Sequence, residues 1–160
     1  MNKVFLLLGG NLGNRFSLIK MVKKRIEKKI GMIEKESSIY ETTPWGFESK
    51  QNFLNQVVVI STSQMPKEVL KLCLEIEDEL GRKRKSNQYE SRTMDIDILF
   101  YNDDIIKENN LIIPHPKLHE RRFTLEPLVE ISPDYVHPLF NRTLHDLLAE
   151  SNDNGVVKKV

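Results

Sequence analysis

One cysteine, Cys73, in 160 residues rules out an internal disulfide and a cysteine-rich zinc site, and suits a reducing compartment. A dominant charge sign is missing too. The 24 Lys and Arg against 23 Asp and Glu leave a formal net charge of +1, too near balance for a surface that tracks nucleic acid. Any anion site must therefore be a local cluster. No apolar run approaches the length of a membrane span, and Val4–Leu8 is too short for a secretory h-region and ends in glycines. A cytoplasmic protein with neither membrane nor nucleic acid as partner is expected. Repeats, low-complexity tracts and linkers are absent. So are G-x-G-x-x-G, the P-loop and H-E-x-x-H. With 39% hydrophobic and 29% charged residues, the chain reads as a single domain over residues 1–160, with a polar tail that frays from about Ser151.

What is present is periodic. Val4–Leu8 is a continuous apolar run that reads as a buried strand. Leu18, Ile19, Val22, Ile26 and Ile30 recur at helical spacing, and Gly31 follows to end that helix. Residues 32–43 have strand-like content, and the stretch from Phe53 to Thr62 holds V-V-V-I, a strong β signal. Pro66 opens a second helix with the stripe Val69, Leu70, Cys73, Ile76 and Leu80, and Gly81 stops it. A strand with Asp95 and Asp97 comes next. The order predicts an α+β fold: a ferredoxin-like β-α-β-β-α-β core with an antiparallel sheet. Residues 103–160 read as extra short C-terminal pieces, including a Pro-His-Pro turn, a short helix near 117–121 and a last helix around Leu144–Glu150.

The richest stretch is R-K-R-K-S-N-Q-Y-E-S-R-T-M-D-I-D-I-L-F, residues 82–100. Alternation along a strand puts Asp95 and Asp97 on one face, roughly 6.7 Å apart, and sends Met94, Ile96 and Ile98 to the other. Asp is depleted in strands, so the pair reads either as a solvated strand end or as ligands for a hard cation such as Mg²⁺. The cations before it, Arg82, Lys83, Arg84, Lys85 and Arg92, favour a metal-bound polyphosphate, because metal and polyanion each explain the other. His115, held between Pro114 and Pro116, reads either as a structurally bonded imidazole or as a rigid donor to phosphate. Arg121 and Arg122 could reach the same anion. Trp45, Phe47, Phe53, Tyr89 and Phe123 gather in loops, and read either as buried packing or as a sandwich for a flat heteroaromatic, with Asn55 reading its edge. G-G-N-L-G-N, residues 9–14, reads as a structural tight turn.

Taken together these residues resemble the 6-hydroxymethyl-7,8-dihydropterin pyrophosphokinases of folate biosynthesis. The matching segments are G-G-N-L-G-N, Y-E-T-T-P-W-G at 40–46, F-L-N-Q-V at 53–57, G-R-K-R at 81–84, R-T-M-D-I-D-I-L at 92–99, I-P-H-P at 113–116 and E-R-R-F-T-L-E-P-L at 120–128. The resemblance implies a monomeric enzyme, one catalytic domain, that moves pyrophosphate from ATP to the hydroxymethyl group of the dihydropterin and releases AMP. It implies two Mg²⁺ ions on Asp95 and Asp97, with Arg82 and Arg92 also catalytic. ATP contacts carry over to Arg82, Arg84, Arg92, the Ile98 backbone, His115 and Arg121. Pterin contacts carry over to Thr42, Thr43, Trp45, Phe53, Asn55 and Phe123, with Phe53 and Phe123 as the stacking pair. The chain departs from the family at 88–92, where Q-Y-E-S-R replaces R-W-G-P-R. It departs again at Thr43, and at Leu74, Asn110 and Ile112, where some members place polar or basic nucleotide contacts. RNA-recognition modules share the element order. Here, though, the strand F-L-N-Q-V-V-V-I lacks their glycine and cation, and two aspartates would repel a phosphate backbone.

Overall fold

The computed structural model describes residues 1–42, 52–81 and 94–160. It begins with β1 (Asn2–Gly10), α1 (Arg15–Lys29), β2 (Met32–Glu36), β3 (Tyr40–Thr42), β4 (Phe53–Thr62), α2 (Pro66–Glu79) and β5 (Asp95–Tyr101). A hairpin of β6 (Ile106–Glu108) and β7 (Leu111–Ile113) follows. Then come a 3₁₀ turn (Leu118–Glu120), α3 (Arg122–Ile131), α4 (Leu144–Ala149) and β8 (Val157–Lys159). Among the described residues the main sheet has six strands in the order β5-β1-β4-β3-β8, with β2 on β4 beside β3. β1 runs antiparallel to both β4 and β5, as the split βαβ order requires.

Both faces of the sheet are covered, which is why β1 is apolar without alternation. Val4, Leu6 and Leu8 pack with Ile96 and Ile98 under α1 and α2, while Phe5, Leu7, Val57 and Phe100 pack against Leu125, Leu128, Leu144 and Leu147 of α3 and α4. α1 starts on Asn14, whose Oδ1 accepts from Ser17 N–H at 3.2 Å, and buries Ile19, Val22 and Ile26. Gly31 follows it because a Cβ there would run into the Ser61 carbonyl. α2 has Pro66 at its first turn and ends at Gly81, at φ 90°.

Four expectations change. The strand-like stretch from Met32 splits into β2 and β3, because Ser37 exchanges bonds with Val57 through its own N–H and Oγ and Ser38 turns to Glu130 on α3. Gly9 and Gly10 belong to β1, opposite Asn55 and Leu54, and in that segment only Gly13 turns at positive φ. The expected short pieces after 103 are there, the 3₁₀ turn and α4 near their expected places, but α3 is an additional ten-residue helix. α3 runs through Pro127, whose missing N–H and ring clash cost about 3 kcal/mol, while fully burying Leu125 and Leu128 returns about 3–6 kcal/mol. The tail does not fray throughout: Val157–Lys159 adds to the open edge of β3, and Asp153 accepts from Arg122 N–H at 2.9 Å. None of the described helices is long and apolar enough to cross a membrane.

Candidate active site

β5 is the edge of the sheet, and its sequence splits by face as expected. Ile96 and Ile98 are buried toward α1 and α2, while Asp95 and Asp97 are half-buried on the opposite face. A bulge follows: Ile98 pairs with Leu6 and Phe100 with Phe5, leaving Leu99 extra. The Leu99 carbonyl accepts from His115 N–H at 3.0 Å, which ties the Pro-His-Pro turn (entered through a cis Ile113–Pro114 bond) to the strand of the aspartates.

Outside this edge lies a cleft of about 480 Å³, walled by α2, by Asp95–Ile98 of β5 and by 109–116. Ile96 N–H points away from β1, donating to Glu77 Oε2 on α2 at 2.8 Å. Antiparallel alternation then directs the N–H and C=O of Ile98 the same way, into the cleft, where they form a donor–acceptor pair of the kind that reads a flat base. Leu70 and Leu74 supply its apolar wall, and Asn110 and Ile112 line the far side.

His115 stands at the mouth. Its Nδ1 accepts from Lys117 N–H at 3.1 Å, so in the neutral ring the proton sits on Nε2. Burial, then the charges of Arg121 and Lys117, depress its pKa to about 4. A neutral imidazole therefore offers a fixed Nε2–H donor at any physiological pH. The Arg121 guanidinium lies over the Phe123 ring, 5.5 Å from its centroid, on the lead-in to α3.

On the same face as the aspartates, the register lines up Asp95, Gly9, Asn55 and Tyr40 in one row across β5, β1, β4 and β3. Asn55 is buried and its Nδ2 donates to Thr42 Oγ1 at 3.3 Å; Thr42 pairs with Phe53. Arg15 Nη1 clasps the base of this hairpin, bonding Glu41 Oε2 at 2.8 Å and the Asn52 carbonyl at 2.7 Å. The structure thus brings together Asp95, Asp97, Ile98 and His115 around the cleft, and Thr42, Phe53 and Asn55 beside one another on the carboxylate face. Phe123 packs against the core of that face. Arg82, Arg84, Arg92, Thr43 and Trp45 lie outside the described residues, as do Gln88 and Tyr89.

Sequence reading missed Glu77, Arg15 and the place of Gly9. Glu77 carried a signal, a carboxylate four residues after Cys73 on the buried stripe. Burial first, then Glu77 and Asp97, push the Cys73 thiol up, so it is not a nucleophile.

Fold and site together define a class: small α+β enzymes with a carboxylate pair on the edge strand of a split βαβ sheet, at the lip of a nucleotide-sized cleft. Residues 5–133 match the family described as 7,8-dihydro-6-hydroxymethylpterin-pyrophosphokinase, and the chain belongs to that family. The 2-amino-4-hydroxy-6-hydroxymethyldihydropteridine pyrophosphokinase of Aquifex aeolicus is 40% identical over 151 residues, 94% of this chain and 93% of that protein. The folic acid synthesis protein of Dictyostelium discoideum is 35% identical over 99% of this chain, which spans 24% of that longer protein. The fold is also that of Plasmodium falciparum HPPK-DHPS wild type with pteroate, at a TM-score of 0.77 and 20% identity over 92% of this chain and 42% of the other.

Proposed function

We propose that this chain transfers pyrophosphate from ATP to the hydroxymethyl oxygen of 6-hydroxymethyl-7,8-dihydropterin, releasing AMP and the pterin diphosphate, a step in folate biosynthesis. The observation that carries this reading is the position of the carboxylate pair, between the nucleotide-sized cleft outside β5 and the Thr42, Phe53 and Asn55 group on β3 and β4. Two half-buried carboxylates fit Mg²⁺, which takes one or two such ligands and completes its shell with phosphate and water. Among the described residues no larger His, Cys, Asp or Glu cluster competes for it. Asp95 and Asp97 would hold two Mg²⁺ ions, and the metal would neutralise phosphate charge and lower the pKa of the attacking hydroxyl.

The protein's own part is positioning and electrostatics. The Ile98 backbone pairs with the adenine edge, and the Nε2–H of His115 donates to the triphosphate. Arg82, Arg84, Arg92 and Arg121 grip the phosphates, with Arg82 and Arg92 stabilising charge as it builds. Phe53 and Phe123 stack the pterin, and Thr42, Thr43, Trp45 and Asn55 surround its edge. The hydroxymethyl oxygen bonds to the β-phosphorus as the bond from that phosphorus to the α,β-bridging oxygen breaks; the hydroxyl proton passes to solvent and AMP departs with the bridging oxygen. Residues 1–160 act as one catalytic domain, as a monomer and in the cytoplasm. Incubation with ATP, Mg²⁺ and the dihydropterin should release AMP with no ADP; ADP, or no pterin-dependent turnover, would sink the reading.

A further inference from the structure

Gly9 lies in register with Asp95 on one side and Asn55 on the other. Neighbouring strands are about 4.8 Å apart, so the carboxylate and the carboxamide face each other across about 10 Å of sheet with a bare Cα between them. A Cβ on Gly9 would stand 2.6 Å from Asn55 Oδ1 and 3.6 Å from its Cγ. The carboxamide fills the volume that any other residue at position 9 would claim. Its other end is fixed, because Nδ2 donates to Thr42 Oγ1. Among the described residues the positive-φ glycines are Gly13 and Gly81, so at Gly9 space, and not backbone conformation, demands glycine.

We propose that Gly9 is a positioning residue for pterin recognition: the open space above its Cα seats the Asn55 carboxamide, with Oδ1 over β1 on the side of Asp95. The inference rests on the assignment of Asn55 to the pterin made above. The nearest backbone atom to the added Cβ, the Leu54 carbonyl, stays at 3.4 Å. Gly9→Ala is therefore expected to fold with Asn55 turned aside.

The test measures kcat, both KM values and thermal melting for the wild type, Gly9→Ala, Asn55→Ala and the double variant. Gly9→Ala should raise the KM for dihydropterin about tenfold, the worth of one hydrogen bond, and leave the KM for ATP within about twofold. With Asn55→Ala already present, adding Gly9→Ala should change the pterin KM by less than about twofold, since the group it displaces is gone. A pterin KM unmoved by Gly9→Ala, an equal rise in both KM values, or a full added effect in the double variant overturns the proposal. The double variant decides the matter even if Gly9→Ala alone fails to fold. Asn55→Ala with a wild-type pterin KM would overturn the assignment of Asn55; an Asn55 defect without the Gly9 coupling would overturn the Gly9 proposal alone.

Discussion

Asp97 and Asn have nearly the same shape, so Asp97→Asn isolates charge. The carboxylate sits opposite Leu7 on a strand hydrogen-bonded along its length, and the change should leave the fold intact. Its effect should fall on turnover: kcat for AMP release should drop by about two to three powers of ten, the usual loss when one preorganised electrostatic group is removed. An unchanged melting temperature with that loss of rate would separate chemistry from folding. His115 argues differently. If its neutral ring and fixed Nε2–H donate to the triphosphate as proposed, His115→Ala should raise the KM for ATP about tenfold or more, the worth of a hydrogen bond to a charged group. Because its pKa is depressed to about 4, the KM of the wild type should show no His115 step between pH 5 and 8. A step near pH 6.5 in a titration of ATP affinity, absent from the variant, would contradict the neutral assignment.

Among the elements, α3 and β8 hold each other and the hairpin. Burial pushes the Glu130 carboxyl up, but Ser38 N–H at 2.9 Å, Ser38 Oγ at 2.6 Å and Tyr40 OH at 2.9 Å, with Lys159 at 3.7 Å, hold its pKa below the ordinary carboxylate value. Glu130→Ala strips the acceptor from all of them and should cost about 2 kcal/mol in urea unfolding, with no change in the denaturant slope. These elements were also the least legible. α1, α2, β1 and β4 announce themselves by apolar period or by an unbroken apolar run. Pro127 hid α3, since a proline normally ends a helix, and the Leu125 and Leu128 burial that overrides it depends on a sheet face the local sequence does not display. β8 is mostly polar and held by main-chain pairing to β3, so no side-chain pattern marks it. The carboxylate pair was legible because strand alternation is local. The cleft was not, because it needs α2 and 109–116 brought to the β5 edge.

At the scale of the whole molecule, the sheet is covered on both faces, and the second face encloses histidine. His137 is buried, stacks on Phe140 with centroids 4.3 Å apart, meets the Phe100 ring edge-on, and accepts on Nδ1 from Leu139 and Phe140 N–H groups. Burial, and then His119, depress its pKa to about 4, the value His115 also takes. Both imidazoles hold a proton less tightly folded than unfolded, where the ordinary value is 6.5. As pH falls from 6.5 toward 4, the unfolded chain binds protons that the folded chain does not, and stability is lost; above 6.5 the contribution is fully present. Each such proton adds a slope of about 1.4 kcal/mol per pH unit. Unfolding free energy should therefore fall steeply between pH 6.5 and 4.5, above the range where Glu130 becomes protonated. His137→Asn, whose Oδ1 replaces the Nδ1 acceptor without titrating, should be less stable at pH 7 but shallower in slope by about one proton. Urea unfolding at half-unit pH intervals reads both slopes, and parallel curves would show that the His137 imidazole is not held neutral by the core around Phe100 and Phe140.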